Sequence, residues 1–175
     1  MSTLLVGLGH KAQQGKSTLA QMIHELAPAE TKIYNFSDAI VAHARAFGLM
    51  GAKKNPQLLQ TLGADIYRKH INADYWIRQL QYSIAADSPR VALVTGVRFT
   101  NEFEWIQENN GICVQVIRVN ETGGQWISPD RPARHLSEVE LDGAVWDYTV
   151  SAADGNLEEL RKAANSLGIL IKQRL

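Results

Sequence analysis

The sequence predicts an α/β fold in which a central parallel five-stranded sheet carries helices on both faces. Short, nearly continuous apolar runs recur along the chain, the pattern of strands buried on both sides. Segments with helical spacing of apolar residues separate those runs, and such alternation implies parallel pairing under two helical layers. No repeat, low-complexity tract or linker breaks the pattern, so residues 1–175 are expected to form one domain.

In chain order, Thr3 to Leu8 is the first buried-type strand, and Ser17 to Leu26 is a helix with Leu19, Met22, Ile23 and Leu26 on one face. Pro28 stops that helix. Lys32 to Phe36 is the second strand, and Ser37 is the expected N-cap of a helix reaching about Phe47, before Gly48 and Gly51. Pro56 suits the first turn of a helix carrying Leu58, Leu59, Leu62 and Ile66. A further helix begins near Ala73 and uses Trp76, Ile77, Leu80 and Ile84. Val91 to Thr95 is the third strand, Asn101 to Asn109 a helix ended by Gly111, and Ile112 to Val119 the fourth strand. Residues 120–135 are rich in turn formers and charge and read as a mobile, lid-like loop. Tyr148 to Ser151 is the fifth strand, and Asn156 to Leu167 is a terminal helix with Gly168 as its cap.

Hydrophobic residues make up 45% of the chain and charged residues 21%, which argues against disorder. Eighteen Lys+Arg balance eighteen Asp+Glu, which excludes binding to nucleic acid by bulk charge but leaves a local basic groove open. The single cysteine, Cys113, has no partner for an internal disulfide, and no Cys/His cluster suggests zinc. The apolar run Leu4 to Leu8 is too short for a signal-peptide core, and no stretch approaches the ~18 apolar residues of a membrane span. A cytoplasmic setting is expected.

The segment GLGHKAQQGKSTLA lies between the first strand and the first helix, where a phosphate-binding loop belongs. Gly15 lets backbone N–H groups approach phosphate oxygens, Lys16 neutralises β/γ charge, and the Ser17 hydroxyl suits Mg²⁺. Gly9, His10, Lys11 and Thr18 complete the expected nucleotide cradle. Gly9 and Gly15 enclose five residues where the usual spacing has four, and a glycine-rich turn that binds nothing is the alternative reading. No guanine-recognition motif appears, and the chain is short for a translocating motor, which leaves a small ATP-dependent kinase.

With the later blocks added, the chain resembles the bacteriophage deoxynucleoside monophosphate kinase family. The blocks are GLGHKAQQGKST, YNFSDAI, LLQTLGADIYRKHINADYWIRQL, VALVTGVRFTNEFEWI with GICVQVIRV, RHLSEVEL and SAADGNLEEL. The resemblance implies a P-loop kinase fold, ATP and Mg²⁺ as cofactors, conversion of deoxynucleoside monophosphates to diphosphates, and the host cytoplasm if the chain is phage-encoded. It implies that Lys16 contacts the transferring phosphate, that Ser17 holds magnesium, and that Arg98 and Arg68 clamp phosphate with their planar forks. Surface salt bridges are the alternative for both arginines. Asp38 organises metal or acceptor, or is an ordinary first-turn carboxylate. Glu102 fixes the rotamer of Arg98 or opens a helix, and His135 and Glu138 approach the nucleotide or cap a short helix. Arg131 and Arg134 close over phosphates as a lid, or are solvated.

The resemblance leads to an aspartate where Gly96 stands, two residues before Arg98, which leaves metal coordination to Ser17 and Asp38. Only about twenty residues separate NFSDAI from LLQTLG, so the acceptor side is compact. That compactness suits a minimal monophosphate kinase or an open cleft for a flipped base, since related phage kinases phosphorylate the 5-hydroxymethyl group of modified uracil within DNA. Lys53, Lys54, Arg68 and Lys69 would then meet a DNA backbone, or form a solvated face. Trp126 stacks on a base or packs in its loop, and Trp146 marks a subunit contact of a homodimer or belongs to the core. A non-catalytic nucleotide-binding module is the remaining reading.

Overall fold

A computed structural model describes residues 3–53, 55–129 and 133–175 of the chain. Its five strands are β1 (Leu4–Gly9), β2 (Thr31–Asn35), β3 (Val91–Val97), β4 (Ile112–Val119) and β5 (Tyr148–Ala153). They pair in the order β2-β3-β1-β4-β5, all parallel. The apolar runs are continuous because both sheet faces are covered. Val6, Leu8, Leu93 and Val114 pack on one face against Leu19, Ile23, Leu160 and Leu167, while Leu5, Ala92, Val94 and Cys113 pack on the other against Trp76, Leu80, Phe103 and Ile106. The helices supplying those side chains are α1 (Lys16–Leu26) and α7 (Leu157–Arg174) on the first face, and α4 (Tyr75–Asp87) and α5 (Thr100–Glu108) on the second.

Some helix boundaries differ from the sequence reading. The α2 helix (Phe36–Ala46) begins directly after β2, and its cap is Asn35, whose side chain accepts the Ser37 N–H at 2.8 Å; Ser37 is inside the helix. The last helix, α7, does not end at Gly168. Leu160, Ala164, Leu167 and Ile171 form one buried stripe, and that burial outweighs the cost of about 1 kcal/mol for a glycine within a helix. The α3 helix (Pro56–Gln60), capped by Asn55, continues into a wider π-helical segment, Thr61–Ile71. There the Asn72 N–H reaches the Tyr67 carbonyl at 2.9 Å, and the Trp76 indole donates to the Gly63 carbonyl at 3.0 Å. The remaining short helix, α6 (Leu136–Val139), has His135 as its cap, accepting from the Ser137 N–H.

β1 connects to β2 on one side of it, whereas its neighbour β4 connects to β5 on the other, so the crossovers leave β1 and β4 in opposite directions. Parallel sheets leave a crevice at the carboxyl ends of strands at such a reversal. Of residues 120–135, the part as far as Trp126 is a tight hairpin, closed by Asn120 and Gly124 and bridged between Val119 and Gln125. Trp146 packs edge-on against Phe103 at 4.8 Å and belongs to the second core.

Leu93 is fully buried at the middle of β3. Leu93→Ala should destabilise the fold by about 2–5 kcal/mol, read from urea unfolding, because the surrounding sheet and helices collapse only partly onto the cavity.

Candidate functional site

A cavity of about 790 Å³ lies across the carboxyl ends of the strands, within the usual size range of small-molecule sites. Over β4 and β5 it is lined by Arg118 and residues 152–157, at its centre by residues 13–18, and over β2 and β3 by Asn35, Phe36, Arg98 and the α3–π segment.

At the centre, Gly15 caps α1 with φ of +93°, and no side chain caps that helix end, so its first N–H groups open toward the cavity. Ser17 and Thr18 are exposed there. Lys16 is buried, with its ammonium on the loop's own carbonyls, Lys11 O and His10 O, the latter at 3.5 Å. Four of the expected cradle residues are therefore in the lining, whereas Gly9, His10 and Lys11 are not. Gly9 ends β1 between Val97 and Gln115. His10 is held by Asp142 at 2.8 Å, and burial followed by the Lys11 charge lowers its pKa and keeps the imidazole neutral. Lys11 reaches Asp142 and the Glu138 carbonyl. These two side chains anchor the loop from behind. Burial raises the pKa of the Asp142 carboxyl, but Lys11 and His10 outweigh it and hold the group below its ordinary value.

Gln14 is buried, and its amide donates to Ala12 O at 3.1 Å and Trp126 O at 2.8 Å while accepting from Arg118 N at 2.9 Å and Gln125 at 3.1 Å. All four hydrogen-bonding positions of the amide are filled, which ties the loop to the end of β4.

Both arginines flank the cavity, each on a buried carboxylate. Arg98 pairs with Glu138, and Arg68 pairs with Glu102. Glu102 does not hold the Arg98 guanidinium. Its second oxygen accepts the Arg98 and Phe99 N–H groups at 2.8 and 3.2 Å. Burial pushes the Glu102 carboxyl up, and Arg68 with those two N–H groups pulls it back. Arg68 also donates to Ala73 O and Asn101 and lies 4.0 Å over the Phe99 ring. Arg98 is less committed: among the described residues only its NH1 and backbone N–H find protein partners, which leaves NH2 and Nε for an anion. Because Arg68 turns inward, it does not join Lys53 and Lys69 in one exposed basic face.

Gly96 explains how Arg98 is aimed. The β1–β3 register slips from Leu8↔Thr95 to Gly9↔Val97, so Gly96 is the extra residue of a bulge, with φ of +83°. An added Cβ would lie 3.0 Å from the Asn35 side-chain oxygen, on a φ that L side chains rarely adopt, so an aspartate here would be strained. Asp38 stands on the exposed first turn of α2, outside the lining, whereas Ser37 is within it. Arg134 is exposed and also outside the lining, and Arg131 and Lys54 fall outside the described residues. The cavity's carboxylates, Glu102 and Asp154, are both ion-paired, and no cluster of metal-ligating side chains occurs among the described residues.

Sequence reasoning passed over Arg118. It lies 4.3 Å over the Trp126 ring and is fixed by Asp154 at 2.7 Å, so Trp126 packs in its loop. A charged residue near the carboxyl end of a parallel strand was the available signal. Gln60, Phe99 and Ser137 also line the cavity without having been singled out. Among the described residues no helix is long and apolar enough to cross a membrane.

The fold is similar to that of shikimate kinase from Bacteroides thetaiotaomicron, with a TM-score of 0.57 at 14% identity over 98% of this chain and 99% of that one. A sugar kinase from a Janibacter species is also similar, with a TM-score of 0.54 at 15% identity over 94% of each chain. In sequence, the chain is 33% identical over 82 residues to the deoxynucleoside-5'-monophosphate kinase of Escherichia phage T5. That match covers 46% of this chain and 33% of the relative, so the chain spans about a third of that protein's length. The pattern of the deoxynucleotide monophosphate kinases matches residues 54–163, from before α3 into α7 and so beyond the glycine-rich loop. With a P-loop kinase fold and a family match over most of its length, the chain belongs to the deoxynucleotide monophosphate kinase family.

Proposed function

We propose that this chain transfers the γ-phosphoryl group of ATP to the phosphate of a deoxynucleoside monophosphate. The observation that carries this reading is one cavity with a phosphate-type loop at its centre, arginines beside it and no uncommitted carboxylate in its described lining. Arg118 and residues 152–157 suit the donor base and ribose, Arg118 offering a flat face backed by Trp126. The α1 N-terminus, Lys16 and Ser17 suit the donor phosphates and their magnesium, which would neutralise charge developing between them. Arg98 suits the acceptor phosphate, and Phe36, Ile40, Leu59 and Phe99 with Gln60 suit its base.

An oxygen of the acceptor phosphate bonds to the γ-phosphorus as the bond to the β–γ bridging oxygen breaks, and ADP leaves. A phosphate with a second pKa near ~6 is already ionised at neutral pH and needs no general base. A hydroxymethyl acceptor would need one, and Glu102 and Asp154 are both engaged by arginines. The lining therefore favours a monophosphate over a modified base in DNA.

With γ-labelled ATP and Mg²⁺, label should appear in a deoxynucleoside diphosphate; label only in duplex DNA carrying 5-hydroxymethyluracil would replace this acceptor. Lys16→Ala should cut kcat by roughly 10²-fold or more while the thermal melt shows a folded protein, because one charge at the phosphates is lost. Gly15→Val should weaken ATP binding below detection by calorimetry, since φ of +93° is strained for valine at the residue that opens the cradle. Unchanged ATP affinity in that variant would move the cradle elsewhere.

A further inference from the structure

We propose that Glu138 is a positioning residue that sets the phosphate loop and Arg98 at a fixed separation. Its kinetic consequence rests on the phosphoryl-transfer reading; its geometry does not. Glu138 is buried, 5% exposed, on the four-residue helix α6. One carboxylate oxygen accepts the Ala12 N–H of the loop at 2.8 Å, and the other takes the Arg98 guanidinium. The backbone around it repeats the same two connections: Lys11 donates to the Glu138 carbonyl at 2.7 Å, and Arg98 donates to the Ser137 carbonyl at 3.3 Å. Ser137 in turn accepts from Gln60 of α3 at 3.1 Å. The side of the cavity assigned to the donor phosphates and the side assigned to the acceptor therefore meet at a single buried carboxylate.

Only a carboxylate fills this role. Donors from the loop and from the exit of β3 converge here, with the Ser137 hydroxyl beside them at 3.4 Å, and an ionised carboxyl offers an oxygen to each side. A glutamine has one oxygen, so its amide would face either the Ala12 N–H or the Arg98 guanidinium donor to donor. Binding of either substrate alone would tolerate a loosened loop or a swung arginine. In-line transfer would not, because both reacting phosphates must be registered together.

The test compares Glu138→Gln and Glu138→Ala with the unaltered chain, alone and combined with Arg98→Ala, with a thermal melt beside each. In Glu138→Gln we expect kcat to fall by about 10²-fold with KM for ATP and acceptor changed by no more than about threefold. In the Arg98→Ala background the same change should cost far less, since the group it positions is gone. Independently of turnover, hydrogen exchange at the Ala12 amide should quicken in both Glu138 variants. Additive losses of kcat, a lowered melting temperature with kcat unchanged, or Ala12 exchange unaltered in both variants would each overturn the proposal. If the unaltered chain phosphorylates no deoxynucleoside monophosphate but Ala12 exchange still depends on Glu138, the acceptor assignment fails and the positioning role stands.

Discussion

Two carboxylates removed from water govern the geometry of this site. An ionised carboxylate is tolerated in a protein interior only when charge and hydrogen bonds meet it. Glu102 is met by Arg68 and two N–H groups at the exit of β3, and Glu138 by Arg98 and the Ala12 N–H. Each demand is answered from a different part of the chain. Satisfying both draws the π-helical segment, the exit of β3, the glycine-rich loop and α6 into one ring around the cavity. Removing Arg68 or Arg98 would deprive a buried carboxylate of a charged partner.

The sheet makes that convergence possible. With β1 between β3 and β4, the loop after β1 lies beside the exits of the strands that carry Arg98 and Arg118. The bulge at Gly96 turns the end of β3, and Gln14 locks the loop to the end of β4. The same bulge puts strain on the aspartate that the family resemblance suggests there. Both carboxylates of the described lining are ion-paired, Glu102 with Arg68 and Asp154 with Arg118.

Much of the architecture is legible in the amino-acid order. Val91 and Leu93 face one helical layer while Ala92 and Val94 face the other, so an unbroken apolar run is the direct imprint of a strand covered twice. Pro56 opens α3, and GKST opens α1, because fixed φ, missing side chains and helix-end N–H groups are local properties. The misread boundaries had one tertiary and one local cause. Gly168 looks like a stop until Ile171 is seen to bury against the core, and Ser37 looks like a cap until Asn35 is seen to take its N–H.

Position and residue type marked Lys16 and Ser17 as candidates for phosphate chemistry, the family resemblance added Arg68 and Arg98, and all four line the cavity. Pairing was another matter. That Glu102 holds Arg68, that Glu138 holds Arg98, that His10 and Lys11 anchor the loop from behind, and that Arg118 rests on Trp126 depend on residues brought together from distant segments. Sequence specifies periodicity and turns because those energies are settled among near neighbours. Which charge meets which carboxylate is decided only when the sheet closes, because desolvation forces each buried group to take the partner that folding places within reach.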